Sequence, residues 1–275
     1  MMRILLTLLA VSIAAVISGA AVIYFGVYNV AATHQHGPVL YWLLETAMRQ
    51  SVKARAKDIE VPPLTDAAMI DRGLQLHRVH CLECHGAPGV APEAYAMGLA
   101  PIPANLVYTG RQWQPAELYW VVKHGIKSAG MPAWQFRLSD DDLWATVAFM
   151  KKLPQLSTTQ YADMVQRLHS QPLQTQAPPV PARPNPERGR QALEQYYCIT
   201  CHAIPGVVGA SVPVGPPLGG IATRALIAGQ LPNTTDNMIR WLRQPQKINP
   251  KSAMPDLGLS ERDARDIAAY LYTLR

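Results

Sequence analysis

The sequence predicts an all-α protein in which an apolar N-terminal helix is followed by two copies of one small helical module. Three observations carry this reading. Residues 4–28 form a nearly unbroken apolar run. The amphipathic stretches after it show helical spacing, and none shows the strict alternation of a half-buried strand. Finally, the order of features in residues 61–155 is repeated in residues 187–275.

The N-terminal element comes first. After Arg3 no charged residue occurs until Glu45. About 20 apolar residues in helical form cross a hydrocarbon core roughly 30 Å thick. A cleaved signal peptide is the alternative, but its apolar region usually runs about 7–15 residues. Ser18-Gly19-Ala20 offers a cleavage site, yet apolar residues continue past it. Residues 1–33 are therefore expected to be a transmembrane anchor. Residues 34–60 form a juxtamembrane segment. Leu40, Leu43, Leu44, Ala47, Met48 and Val52 recur at helical spacing, and Tyr41 and Trp42 are aromatics of the kind found at membrane surfaces. Two readings stand open: a helix on lipid or a partner subunit, and an ordinary packed helix. His34 and His36 read as part of a solvated turn.

Each module opens with a helix bearing a glycine, Gly73 or Gly189, ahead of its first cysteine. Glycine inside a helix costs about 1 kcal/mol relative to alanine and is tolerated where another helix must come close. Gly73 is expected to meet Phe149, and Gly189 to meet Tyr270. Next come the strings Cys81-Leu-Glu-Cys84-His85 and Cys198-Ile-Thr-Cys201-His202. Pro-rich straps follow at 100–106 and 214–220, then the pairs Met131-Pro132 and Met254-Pro255. Each module closes with a helix preceded by serine and an acid three residues later, Ser139/Asp142 and Ser260/Asp263. That pattern resembles a capping box with Asp in place of Glu or Gln. Residues 156–186 contain a short helical stretch near 158–169 and then a Pro-rich linker, a semi-extended tether that leaves the distance between the modules open.

All four cysteines lie in the two Cys-x-x-Cys-His strings. A zinc ribbon needs two knuckles about 15–20 residues apart, and a thioredoxin-like pair needs a βαβ setting. Neither is present. Disulfides within so short a knuckle are disfavoured geometrically. The remaining reading is c-type haem attachment, with two thioether links and the adjacent histidine carried to the iron. His85 and His202 are then the proximal ligands. Met/His ligation raises the potential and suits electron transfer. Met131 and Met254 are the expected sixth ligands, because each sits before a proline in a loop between helices. Met97 precedes its strap, and Met150 and Met238 lie in helical patterns that suit core filling. A ligating histidine usually donates its second ring N–H to a carbonyl. Pro101 or Pro103 is a candidate for that carbonyl in the first module, and Pro216 or Pro217 in the second; a plain turn is the alternative. His77 and His80 read as surface or packing residues. Trp113, Trp134, Trp241, Arg111 and Arg224 read as core aromatics and surface arginines, with haem propionates as a further possible role.

Net charge is +6, distributed as +3 in residues 1–59, −1 in 60–155 and +4 in 183–275. No Lys/Arg-rich run occurs, and no nucleic-acid partner is expected. The basic second module serves either solubility or docking on an acidic protein surface.

On these strings the chain resembles class I c-type cytochromes over residues 65–153 and 187–275. Residues 228–274 are similar to the cytochrome c domain fused to subunit II of some bacterial haem–copper oxidases. The chain departs from that pattern in showing no second long apolar helix and no cupredoxin copper loop. The resemblance implies a transmembrane helix followed by two class I cytochrome c domains, carrying two covalently attached haem c groups. It also implies electron transfer rather than catalysis, in a bacterial respiratory chain beside a terminal oxidase. A quinol-oxidising complex or a dehydrogenase would be the donor. Because such haem is attached outside the cytoplasmic membrane, both modules are expected in the periplasm, on a single-pass inner-membrane protein. The alternatives are a dihaem peroxidase, which needs an iron with a vacant site, and the cytochrome subunit of a periplasmic alcohol or sugar dehydrogenase.

Overall fold

A computed structural model describes residues 1–168, 179–209 and 214–275. Residues 171–178 of the Pro-rich linker, and His169 of the short helical stretch, lie outside the described residues. Helix α1 (Met2–Tyr24) has a mean hydropathy of 2.4 over its most apolar window and none of that window is buried against the protein. At 1.5 Å per residue it spans about 34 Å, enough to cross a bilayer core.

Helix α2 (Pro38–Ala56) starts on a proline at its first position, where a missing N–H costs nothing. Its second half is an ordinary packed helix: Val52 and Ala56 are buried, Met48 packs on the first module's core, and the Arg49 guanidinium lies 5.2 Å over the Trp113 ring. Its first half is bare, with Tyr41 60% and Trp42 64% exposed.

The first module contains α3 (Ala67–His80), α4 (Leu82–His85), α5 (Ala94–Met97), α6 (Leu106–Gln112), α7 (Pro115–His124), α8 (Asp140–Lys152) and α9 (Thr158–Leu168), with 3-10 turns at Trp134–Phe136 and Leu153–Gln155. Its helix starts are set by local chemistry. Asp66 accepts from the Met69 N–H at 2.8 Å, Asn105 caps α6, and Gln114 with Glu117 closes a capping box on α7. Leu74, Leu118, Leu143 and Phe149 are sealed from solvent, each burial contributing about 2 kcal/mol. Tyr161, Met164 and Leu168 of α9 join the same core.

The second module contains α10 (Pro186–Gln195), α11 (Thr235–Arg243), α12 (Pro245–Ile248) and α13 (Glu261–Leu271), with 3-10 turns at Cys198–Thr200 and Ile221–Thr223. The only strands among the described residues, β1 (Leu226–Ile227) and β2 (Leu231–Pro232), form a two-residue antiparallel pair.

In each module the first helix crosses the Ser-capped helix that follows the Met-Pro loop, α3 over α8 and α10 over α13. The glycines make this possible. A Cβ on Gly73 would stand 1.9 Å from the Ala145 carbonyl oxygen and 2.7 Å from Phe149 Cβ. A Cβ on Gly189 would stand 2.0 Å from the Asp266 oxygen, with Ile267 N at 2.8 Å. The Phe149 contact is as expected. The expected Gly189–Tyr270 contact is not the close one. Tyr270 instead donates to the Pro205 carbonyl at 2.7 Å, so it braces the loop after His202.

The resemblance to capping boxes at α8 and α13 also needs correction. Ser139 and Ser260 do cap, accepting from Asp142 and Asp263 N–H. The two aspartate side chains turn inward to arginines instead of reaching back to the cap N–H. Arg72 binds Asp142 at 2.8 Å; Arg188 binds Asp263 at 2.6 Å and Asp266 at 2.7 Å. Each arginine directly precedes its crossing glycine, so the crossing carries a buried ion pair beside the close backbone contact.

The modules touch directly, whatever path the linker takes. Ala133 and Phe136 of the first module belong to the buried cluster of the second. Arg188 donates to the Gln135 carbonyl at 3.4 Å and stacks 4.7 Å over Phe136. Arg137 donates to the Gln195 carbonyl at 3.1 Å and lies 5.3 Å over Tyr196.

Candidate haem sites

Each Cys-x-x-Cys-His string is wound into a single helical turn. The N–H groups of Cys84 and His85 donate to the Cys81 carbonyl at 3.2 and 2.9 Å; those of Cys201 and His202 donate to the Cys198 carbonyl at 3.2 and 3.0 Å. Residues three and four apart share a face of such a turn, so both cysteines and the histidine face one way. The strings differ in how they are reached. In the first module α3 runs to the edge of the turn. In the second, one extra residue separates glycine from cysteine. Tyr197, 71% exposed, absorbs it by adopting a left-handed backbone at φ 58°.

Both imidazoles are oriented by strap carbonyls. His85 Nδ1–H donates to the Ala104 carbonyl at 2.7 Å, and His202 Nδ1–H donates to the Pro216 carbonyl at 2.8 Å. A carbonyl can only accept, so the proton sits on Nδ1 and the Nε2 lone pair is left free for a metal. In the second module the carbonyl comes from one of the two prolines proposed. In the first it comes from Ala104, one residue beyond Pro103. The second strap is pinned to its turn by Gly215 N–H to the Cys201 carbonyl at 2.7 Å and Leu218 N–H to the Ala203 carbonyl at 2.9 Å. Gly215 lies flat against the imidazole, since a Cβ there would stand 2.5 Å from His202 Cε1. Arg224 braces this strap from behind, donating to the Pro217 and Gly219 carbonyls. A cleft of about 420 Å³ beside His202 is lined by Ile204, Pro205, Val207 and Pro217.

The electrostatics suit a bound group better than reactive thiols. No disulfide joins any of the four cysteines. Burial pushes the Cys81 thiol up to about 12 and the Cys198 thiol up to about 11. Redox-active Cys-x-x-Cys thiols are instead depressed. Burial lowers the His85 pKa, against the Ala104 bond that raises it, which leaves the ring neutral at neutral pH as a ligand must be. Among the described residues no cluster of three or more His, Cys, Asp or Glu could hold a bare metal ion. One imidazole per module fits an iron held mainly by a macrocycle. The donor set and the thiols of each module thus fit haem c.

Met131 and Met254 lie half-buried in loops. The Met131 carbonyl accepts from Ile126 N–H at 3.2 Å, a pairing that brings Gly125 so close that a Cβ would stand 2.5 Å from that oxygen. Met254 packs on the second core, its N–H donating to Ser252 Oγ at 3.1 Å. Among the other methionines, Met150 and Met238 are core residues and Met97 is 61% exposed at the end of α5.

The wider set of polar residues divides. His77 is wholly buried, 5.2 Å from the Phe149 ring, and neither ring nitrogen has a partner. The His80 ring lies 4.9 Å from the Trp134 ring, tilted by 49°. Arg111 donates to the Pro154 carbonyl, and Trp113 and Trp241 are buried in the cores. Sequence reasoning missed Ala104, Gly215, the brace from Tyr270 and the arginines before the crossing glycines. Of these only the repeated Arg-Gly pair, Arg72-Gly73 and Arg188-Gly189, left a signal to be found.

Comparison with known proteins agrees with this geometry. Residues 68–150 match the family described as cytochrome c oxidase, cbb3-type, subunit III, and residues 186–275 match the cytochrome c family. The cytochrome c oxidase subunit 2 of Alkalihalophilus pseudofirmus is 37% identical over 89 residues. Those residues make up 32% of this chain and 25% of that protein, so the chain spans about a quarter of this relative's length. No solved structure matches the chain.

Proposed function

Because the chain carries two cytochrome c domains, we propose that it is a dihaem electron-transfer protein, anchored by α1 in a bacterial inner membrane with both domains in the periplasm. It passes electrons to or within a terminal oxidase complex. The observation that carries this is the repeated pairing of a Cys-x-x-Cys turn with an imidazole whose Nδ1–H is held by a strap carbonyl. The oxidase link is supported by two oxidase-related similarities, to the cbb3-type subunit III family over residues 68–150 and to an oxidase subunit 2 over 89 residues.

Haem c supplies a single iron that cycles between ferric and ferrous states. The chain's residues make that useful. Cys81, Cys84, Cys198 and Cys201 fix the groups covalently. His85 and His202 present Nε2, and the carbonyls of Ala104 and Pro216 hold each ring in one tautomer and raise its basicity. Met131 and Met254 would offer the second protein ligand of each group and so close the iron to outside molecules. A Met-Pro loop in each domain favours this carrier over a peroxidase, which would need one open iron. A dehydrogenase subunit would carry the same two domains, and its partner would identify it.

Intact-mass spectrometry of the mature protein should find two attached haems, and the ferric absorption band of Met–iron bonding should integrate to both. The protein should co-purify with an oxidase from its native membrane. One haem or none would defeat the dihaem reading, and co-purification with a periplasmic dehydrogenase instead would defeat the oxidase assignment.

A further inference from the structure

We propose that the contact between the two domains is an electron-transfer junction, fixed by the loop that carries Met131. Residues of that loop are placed where the second domain begins its haem-binding turn. Phe136, five residues beyond Met131, is 2% exposed and lies in the second domain's core. Its carbonyl lies 3.4 Å from the Tyr196 hydroxyl, whose proton goes to Asp263 at 2.7 Å, and Tyr196 is two residues before Cys198. On the other side Arg188 clamps the loop, stacking on Phe136 while paired to Asp263 and Asp266. A groove of about 260 Å³ at this seam is lined by Arg137 from the first domain and by Tyr196, Tyr197, Leu257 and Gly258 from the second. Leu257 is three residues beyond Met254. One seam thus gathers the expected sixth-ligand loops of both domains and the approach to one haem-binding turn.

The chemistry there is a one-electron exchange. The iron of one domain goes from ferrous to ferric as the other goes from ferric to ferrous, with no bond made or broken and no proton moved. A contact built around a buried aromatic ring suits this, because little need move across it. Tyr196 hydrogen-bonded to Asp263 and Phe136 under Arg188 are held in fixed positions, and a loose tether would give no such constancy. The domains then act as a wired pair within one molecule, and neither has to find the other by diffusion.

This inference rests on the dihaem reading, and its test is separable from that of the reading. Full-length protein in detergent is flash-reduced, and electron redistribution between the haems is followed at several protein concentrations. Two variants open the seam. Arg137→Glu acts at an exposed side chain and sets a carboxylate against the Gln195 carbonyl; Phe136→Ala removes the buried ring. Hydrogen exchange at the amides of Arg137, Leu138 and Tyr196 reports whether the seam has loosened, and the Met–iron band reports that ligation survives. In the native protein the exchange should be independent of concentration. In variants with lost amide protection and an intact band it should slow about tenfold, equivalent to about 1.4 kcal/mol in the barrier. Three results would overturn the junction: a native rate that scales with concentration, an unchanged rate in an opened variant, or unchanged protection in both variants. A protein with fewer than two haems would instead defeat the reading beneath it.

Discussion

At the scale of single residues, the wholly buried His77 makes the sharpest expectation. Burial first, and then the neighbouring His85, lower its pKa from 6.5 to about 4. The sign follows from which state binds protons. Between pH 6.5 and 4 the unfolded chain takes up a proton that the folded chain refuses, so stability falls as the pH drops through that window. The loss amounts to about 3 kcal/mol once the pH is below 4. Neither ring nitrogen has a hydrogen-bond partner, so an apolar residue of similar volume costs little and removes the penalty. His77→Leu should match the native protein in thermal melts at pH 7.5 and exceed it clearly at pH 4.5. The residue scale is also where the sequence was least legible. Ala104 orients His85 through a main-chain oxygen, which leaves no trace in residue type. Gly215 matters for what it lacks beside an imidazole far from it in sequence. His85, His202 and the four cysteines were legible because their chemistry lies in side chains at fixed short spacing.

At the scale of elements, the crossing of the first helix over the Ser-capped helix organises each domain. Its signals were legible in part. A glycine in a helix announces a close approach, and it correctly placed α3 on α8 and α10 on α13. The facing residue could not be read from it in the second domain, because the crossing point depends on helix rotation, and Asp266 took the place expected for Tyr270. Adding one methyl group at either glycine forces the helices apart, since the Cβ would overlap a backbone oxygen that cannot swing aside. Gly189→Ala should therefore destabilise its domain by about 2–3 kcal/mol, and more if the Arg188 ion pairs are lost with it. Gly73→Ala should do the same in the first domain. Denaturant unfolding checks both, and an unchanged midpoint in either would dismiss that crossing as the source of stability. The Ser-x-x-Asp signature was half legible for a related reason. The serine caps locally, whereas the aspartate answers an arginine on a distant helix, Arg72 or Arg188, and short-range patterns are blind to that.

For the whole molecule, all-α architecture, the duplicated domain and the apolar N-terminal helix were legible because each is a pattern of composition along the chain. The arrangement of the domains was not, because the Pro-rich tether permits many. The structure adds that α2 serves two masters: Met48, Val52 and Ala56 pack on the first domain while Tyr41 and Trp42 stand free beside the end of the chain that carries α1. Under the proposed function α1 alone holds the molecule to the bilayer. With a protease site inserted after Thr33, cleavage of the purified protein in lipid vesicles should release both haem domains into the supernatant. Full retention would move the hold to the bare half of α2.

The helix crossings also bear on the order of biogenesis. Cys81 and Cys84 emerge well before Asp140–Lys152, and Cys198 and Cys201 well before Glu261–Leu271. Until its closing helix arrives, a domain is an open chain with its thiols on an accessible turn. Under the dihaem reading, a macrocycle would then meet the thiols of a half-made domain before the closing helix packs across the first.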